Sequence, residues 1–316
     1  MIKNRRAFIT GIKSTILTKK EKFFLKKYRP WGVILFTRNL KNFKQIKKLT
    51  NNIKLIFKDK KYPILIDQEG GRINRLKNLI ETSTFTSEFF GNLYKLNKLK
   101  FYNYSNIYIA QTSYLLNELG INLNTVPVLD VRKVGSSNII GNRSYSFSPK
   151  NISIIGDYFI KEYNKFKIGT VIKHIPGHGL AKVDSHKKTP YVENKKNFLI
   201  KNDFSVFKNK KTFFAMTAHV VFKDIDPFNT ATHSKKIINL IRKNISFKNI
   251  IISDDISMKS LKNSLKVNTK KAISAGCNLI LHCNANIAEM RVVAENVPII
   301  DNFIIKKTSQ FYKFLS

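Results

Sequence analysis

Short apolar runs alternate along the chain with longer segments whose apolar residues recur every third or fourth position. The runs occupy 7–12, 32–36, 63–66, 121–128, 169–172, 213–218, 250–253 and 278–281, and each reads as a strand. Between the first two, Thr18 with Glu21 forms a capping box that opens a helix, with Phe23, Phe24 and Leu25 as its apolar face. Phe43, Ile46, Leu49, Ile53 and Ile56 keep helical spacing. A long helix is predicted from near Phe101 to Leu119, stopped by Gly120, and another through Ile154, Ile155, Tyr158, Phe159 and Tyr163. Eight strands, mostly separated by helices, call for a parallel sheet closed into a (β/α)8 barrel of the TIM type, in the α/β class. No repeat, low-complexity segment or Gly/Ser/Pro-rich linker divides residues 1–316, which read as a single domain.

Composition changes this picture little. With 43% hydrophobic residues, the 316-residue chain can bury a sizeable core. Every stretch long enough to span a bilayer carries charge, so no membrane insertion is expected. The basic start, Met1 to Arg6, is not followed by the apolar core of a signal peptide. Cys277 and Cys283 share one apolar stretch and read as reduced thiols, which suits a cytoplasmic address. The net charge of +37 raises the question of nucleic acid or an anionic membrane. The lysines, however, are spread through every polar segment, as in Lys19-Lys20, Lys195-Lys196 and Lys270-Lys271. Lysine, asparagine and isoleucine are all in excess, as an AT-rich coding sequence would produce. There is no zinc-finger spacing, helix-turn-helix signal or aromatic RNP-like run, so no specific nucleic-acid partner is expected.

The strand ends carry the candidate chemistry. Asp67, Lys173-His174, His219, Asp254 and His282 each follow an apolar run, although the chain has six histidines in all. In a barrel these ends meet on one face, where such enzymes keep their active sites. The densest stretch is Lys173-His174-Ile175-Pro176-Gly177-His178-Gly179, followed by Asp184-Ser185-His186. His174 and His178 have the i, i+4 spacing of a zinc pair, but Pro176 and Gly177 argue against a helix between them. The alternative is that His174 bonds a substrate while His178 and the glycines shape a loop. Asp184 can orient His186 as a general acid and base. Ser185 is awkwardly placed as a nucleophile and no G-x-S-x-G elbow exists, so a carboxylate is the better candidate. Asp254 and Asp255 both qualify, against the plain alternative that Ser253 or Asp254 caps a helix running through Met258. Asp67 with Arg72 and Arg75, beside Gly70-Gly71, either fixes sugar hydroxyls or closes a turn with a surface salt bridge.

Five segments together resemble the bacterial β-N-acetylhexosaminidases of glycoside hydrolase family 3: 66–72, 173–179, 184–186, 216–219 and 253–258. The resemblance runs in order from about residue 8 to residue 284, with Ile175 standing where phenylalanine is common. It implies one family 3 catalytic barrel domain acting on N-acetylglucosamine-containing muropeptides in peptidoglycan recycling, as a cytoplasmic monomer without metal or cofactor. Asp254 would be the nucleophile of a retaining mechanism, His186 the acid/base and Asp184 its orienting partner. Asp67, Arg75, Arg143, Lys173 and His174 would bind the sugar. The glycines between 177 and 184 suggest a loop that closes on the substrate.

Overall fold

The computed structural model describes residues 2–135, 138–185 and 187–316. The strands are β1 (Arg6–Gly11), β2 (Pro30–Leu35), β3 (Ile64–Ile66), β4 (Leu123–Asn124), β5 (Gly169–Ile175), β6 (Tyr191–Val192), β7 (Phe214–Thr217), β8 (Val221–Phe222), β9 (Ile250–Asp255) and β10 (Leu279–His282). Eight of them close a barrel in the order β1-β10-β9-β7-β5-β4-β3-β2, and every pair in it is parallel. Each of these eight lies on one of the eight apolar runs. The remaining pair, β6 and β8, forms a small sheet on the loops, which two residues per strand are too short to announce.

The helices are α1 (Lys19–Tyr28), α2 (Phe43–Phe57), α3 (Ser87–Leu96), α4 (Lys98–Glu118), α5 (Pro149–Lys165), α6 (Lys196–Lys201), α7 (Lys235–Lys243), α8 (Leu265–Ala275), α9 (Ile287–Glu295) and α10 (Asn302–Phe314). The Thr18–Glu21 capping box is present, but the apolar face of α1 is Phe24, Leu25 and Tyr28. Phe23 points outward, 67% exposed, because it lies on the opposite side of the helix from that stripe.

The end of the barrel away from the strand C-termini is closed by α10. Phe311 packs against Phe213 and Phe214, and a Cβ on Gly169 at the start of β5 would meet its ring at 2.6 Å. Arg5, fully buried, pairs with Asp59 and lies 4.7 Å over the Tyr62 ring, while Tyr312 donates to Asp59 at 2.6 Å. These contacts tie the first strand to the last helix. They leave the other end, built from the loops after each strand, open for chemistry.

Candidate active site

At that open end lies a cavity of about 330 Å³, walled in part by Asp67, Arg75, Arg143, Lys173, His174 and Asp254. Four carboxylates, Asp67, Glu69, Asp254 and Asp255, and four cations, Arg72, Arg75, Arg143 and Lys173, line it. Despite the charge of +37, the cavity itself is balanced.

Lys173 is the hub. Its Nζ donates to Glu69 Oε1 at 2.7 Å, to Thr125 Oγ1 at 2.9 Å and to Asp67 Oδ1 at 3.2 Å, which uses all three N–H groups. Glu69 is gripped from the other side by Arg143, through Nε at 2.7 Å and Nη2 at 2.8 Å. Asp67 also accepts from Arg75 at 3.3 Å and from Thr125. The Asp67–Arg75 pair is thus part of the cavity wall and not a surface bridge, while Arg72 turns to the carbonyls of Asn138, Ile139 and Ile140. Burial alone would push both carboxyls up. The cations outweigh it, holding Glu69 at about 2 and Asp67 well below the ordinary carboxylate range.

His174 is oriented from behind. Asp130, fully buried after β4, accepts the His174 Nδ1–H at 2.6 Å and the backbone N–H groups of His174 and His178 at 3.2 and 2.7 Å. This leaves His174 Nε2 as the nitrogen that can meet a ligand. His178 does not join it as a metal ligand would. Its Nε2 lies 3.1 Å from Ser185 Oγ, and burial lowers its pKa to about 4, so it is neutral near pH 7. Among the described residues no group of three His, Cys, Asp or Glu side chains is disposed to hold a metal ion.

Residues 176–179, where the suggested closing loop begins, are tied to the segment after β4. His178 N–H is bound to Asp130, and a Cβ on Gly179 would fall 1.8 Å from the Val131 carbonyl. Glycine is there for close packing.

β9 runs through Asp255, and the next helix starts only at Leu265, so neither Ser253 nor Asp254 caps a helix through Met258. The two aspartates differ in what they do. Asp255 Oδ1 accepts from Ser257 N–H at 3.1 Å, Ser257 Oγ–H at 2.9 Å and Cys283 N–H at 3.3 Å, which holds a turn. Asp254 Oδ1 accepts from the next residue's N–H at 2.7 Å. Burial opposes its ionisation, but His219, His174, that N–H and Lys173 together hold its pKa below the usual value. His219 is itself kept neutral by burial, so near pH 7 the later contributors carry more of the effect.

His219 and His282 are strand-end residues whose Nε2 atoms are engaged away from the cavity. His219 donates from Nε2 to the Asp255 carbonyl at 3.0 Å and accepts at Nδ1 from Thr232 at 2.7 Å, fastening β7 to β9 beneath the aspartates. His282 turns to Glu289 on α9, at 3.1 Å. His186 lies outside the described residues. Asp184, half-buried, accepts the N–H groups of Lys187 and Lys188 on its carbonyl at 3.0 Å, and its charge acts on Arg72 at the cavity. Asp130, Glu69 and Thr125 were not singled out from the sequence. Asp130 and Glu69 carried the same signal as Asp67, an acid just past an apolar run.

The glycosyl hydrolase family 3 N-terminal domain matches residues 11–308. The β-hexosaminidase of Haemophilus influenzae is 30% identical over 277 residues, 86% of this chain and 77% of that protein. The β-hexosaminidase of Haemophilus ducreyi is 33% identical, over 87% of this chain and 80% of its own length. Among solved structures, NagZ from Neisseria gonorrhoeae in complex with N-trifluoroacetyl-D-glucosamine superposes with a TM-score of 0.87 at 26% identity, covering 99% of this chain and 90% of that one. A family 3 β-N-acetylglucosaminidase from Paenibacillus, 22% identical, shares the fold with a TM-score of 0.86. With the family matched over nearly its whole length, the chain belongs to glycosyl hydrolase family 3 and is a glycoside hydrolase of the bacterial β-hexosaminidase kind.

Proposed function

We propose that the chain is a retaining exo-β-N-acetylglucosaminidase that removes non-reducing terminal N-acetylglucosamine from peptidoglycan fragments. Asp254 attacks the anomeric carbon and forms a glycosyl-aspartate, which water then hydrolyses. His186 protonates the departing oxygen and later deprotonates the water, with Asp184 as its orienting partner. Asp67, Arg75, Arg143, Lys173 and His174 hold the sugar. Lys173 has no N–H to spare in the free site, so it contributes mainly by fixing Asp67 and Glu69, or by exchanging one of them for a sugar hydroxyl.

One observation carries the reading. Asp254 is a carboxylate kept ionised at the end of β9, beside a charge-balanced cavity, while its neighbour Asp255 is consumed by a turn. A neutral sugar suits such a cavity better than an ion would. The free thiols Cys277 and Cys283 suit a reducing, cytoplasmic compartment, and residues 1–316 act as one catalytic domain in a monomer.

The test is release of 4-nitrophenol from its N-acetyl-β-D-glucosaminide, with the configuration of the first-formed sugar read by NMR. Asp254→Ala should lower kcat by at least about a thousandfold, as loss of a nucleophile does. Near-normal turnover in that variant, or a first product of inverted configuration, would sink the assignment.

A further inference from the structure

The loop after β5 makes one buried contact to which the reaction above assigns no role. Between Ala181 and Pro190 the described residues are exposed or half-buried, except Ser185, which is 3% exposed. Its Oγ lies 3.1 Å from His178 Nε2, and His178 is itself buried. Both residues line the main cavity. The far side of the loop is fastened separately, where the Thr189 hydroxyl donates to the Ser260 carbonyl at 2.7 Å.

A serine hydroxyl is not driven inward by the hydrophobic effect. Its burial on an otherwise exposed loop needs a polar partner, and His178 supplies one. His178 is fixed from behind. Its backbone N–H is held by Asp130 at 2.7 Å, the same carboxylate that takes the His174 Nδ1–H at 2.6 Å. Its ring is neutral near pH 7, because burial lowers its pKa to about 4, and its Nδ1 has no hydrogen-bond partner among the described residues. A buried bare lone pair is tolerated more readily than a buried unpaired N–H, so the proton sits on Nε2 and is donated to Ser185 Oγ. Asp130 thus anchors two arms, His174 directly and the loop through His178.

The residue after Ser185 is His186, and neighbouring Cα atoms are about 3.8 Å apart across a trans peptide. A general acid must be held within hydrogen-bond reach of the leaving oxygen, and a misplacement of about 1 Å can cost a hundredfold in rate. We propose that His178 is a positioning residue for the acid/base: its ring pegs Ser185 at the cavity wall and so sets where His186 can act. In this role His178 acts through Ser185 and touches neither the sugar nor the reacting bond. The proposal rests on the reading of His186 as the acid/base, but the peg itself can be measured without catalysis.

Hydrogen exchange on the full chain without ligand reads the peg. Amide exchange across 180–188 should quicken roughly three- to tenfold in Ser185→Ala and in His178→Leu. His178→Gln should restore wild-type rates, because its amide nitrogen can donate where Nε2 did. Unchanged exchange in either of the first two variants, or no rescue by glutamine, would overturn the peg. A kinetic arm reads its consequence. In Ser185→Ala, kcat/KM should fall about ten- to hundredfold for chitobiose, whose leaving group needs a proton. For the 2,4-dinitrophenyl glycoside, which needs none, it should stay within about threefold of wild type. The losses in His178→Leu and in the double variant should match that of Ser185→Ala rather than add to it. Equal losses on both substrates, or additive ones, would show a merely structural role and overturn the proposal. His186→Ala is the reference. If it shows no leaving-group dependence, the acid/base reading falls and takes the positioning role with it, even where exchange reveals the peg. If it shows one and Ser185→Ala does not, only the positioning role falls.

Discussion

Replacing Asp203 by asparagine should stabilise the protein at neutral pH and leave it unchanged near pH 4. Asp203 follows α6, is 1% exposed, and neither of its carboxylate oxygens has a hydrogen-bond partner. It packs beneath the loop that carries His178: a Cβ on Gly177 would sit 3.1 Å from Asp203 Cβ. Burial raises its pKa to about 7 from 3.8; Lys133 pulls it back and the charge of Asp130 pushes it further. Unfolded, the carboxyl would ionise near 3.8, so between about pH 4 and pH 7 the folded state holds a proton that the unfolded state has released. Stability tied to this group is therefore full below pH 4 and lost as pH rises through 7. Roughly three pKa units at 1.36 kcal/mol each set an upper figure of about 4 kcal/mol, and water entry in the real protein reduces it to about 2–4 kcal/mol. Asparagine has nearly the same shape as the protonated acid and does not ionise. Urea unfolding at half-unit steps from pH 4 to pH 8 gives the difference between variant and wild type. His178 and His233, which destabilise in the opposite direction as pH falls below 6.5, are common to both proteins and cancel. The difference should start near zero and grow to a few kcal/mol by pH 8. Parallel curves would show that Asp203 ionises normally and that the reasoning from its burial is wrong.

Three further outcomes test the site itself. Glu69→Gln leaves Arg143 and Lys173 facing each other without their shared counter-charge and should cost about 3 kcal/mol, read by urea unfolding; a loss under about 1 kcal/mol would mean that water or Asp67 replaces it easily. Gly179→Ala forces a Cβ into the Val131 carbonyl and should cost about 3 kcal/mol or more, while a melting temperature near that of wild type would show that the loop can shift away. His186→Ala should slow substrates with poor leaving groups far more than activated aryl ones, and equal losses on both would count against its role as the acid.

The barrel was legible because each of its eight strands is a short apolar run, and packing between the barrel interior and the helices demands that in any register. The part of the site that follows those runs directly was legible for the same reason: Asp67, Lys173, His174 and Asp254 all sit at strand ends in the cavity wall. Two kinds of feature were hidden. One is the choice between chemically equal neighbours. Asp254 and Asp255 look alike in sequence, and it takes the Ser257 and Cys283 donors, the latter just past the end of β10, to show that Asp255 is occupied. The other is support from a distance. Asp130 lies 44 positions from His174, and Glu69 lies 74 from Arg143, so no local pattern links them. The glycines after Pro176 are ambiguous in sequence for a related reason. Glycine signals freedom of the backbone or room for a neighbour, and the neighbour at Gly179, Val131, is remote in sequence.

The balance of the cavity also changes how the charge of +37 is understood. If lysine excess had been recruited for chemistry, unpaired cations would gather where the substrate's reacting bond lies. Instead the deep cations Lys173 and Arg143 are each committed to carboxylates, and Arg75 is paired with Asp67. Replacing surface residues by lysine costs little, whereas adding one unpaired charge inside would cost several kcal/mol. Compositional drift toward lysine is therefore free to act on the outside and is stopped at the cavity wall.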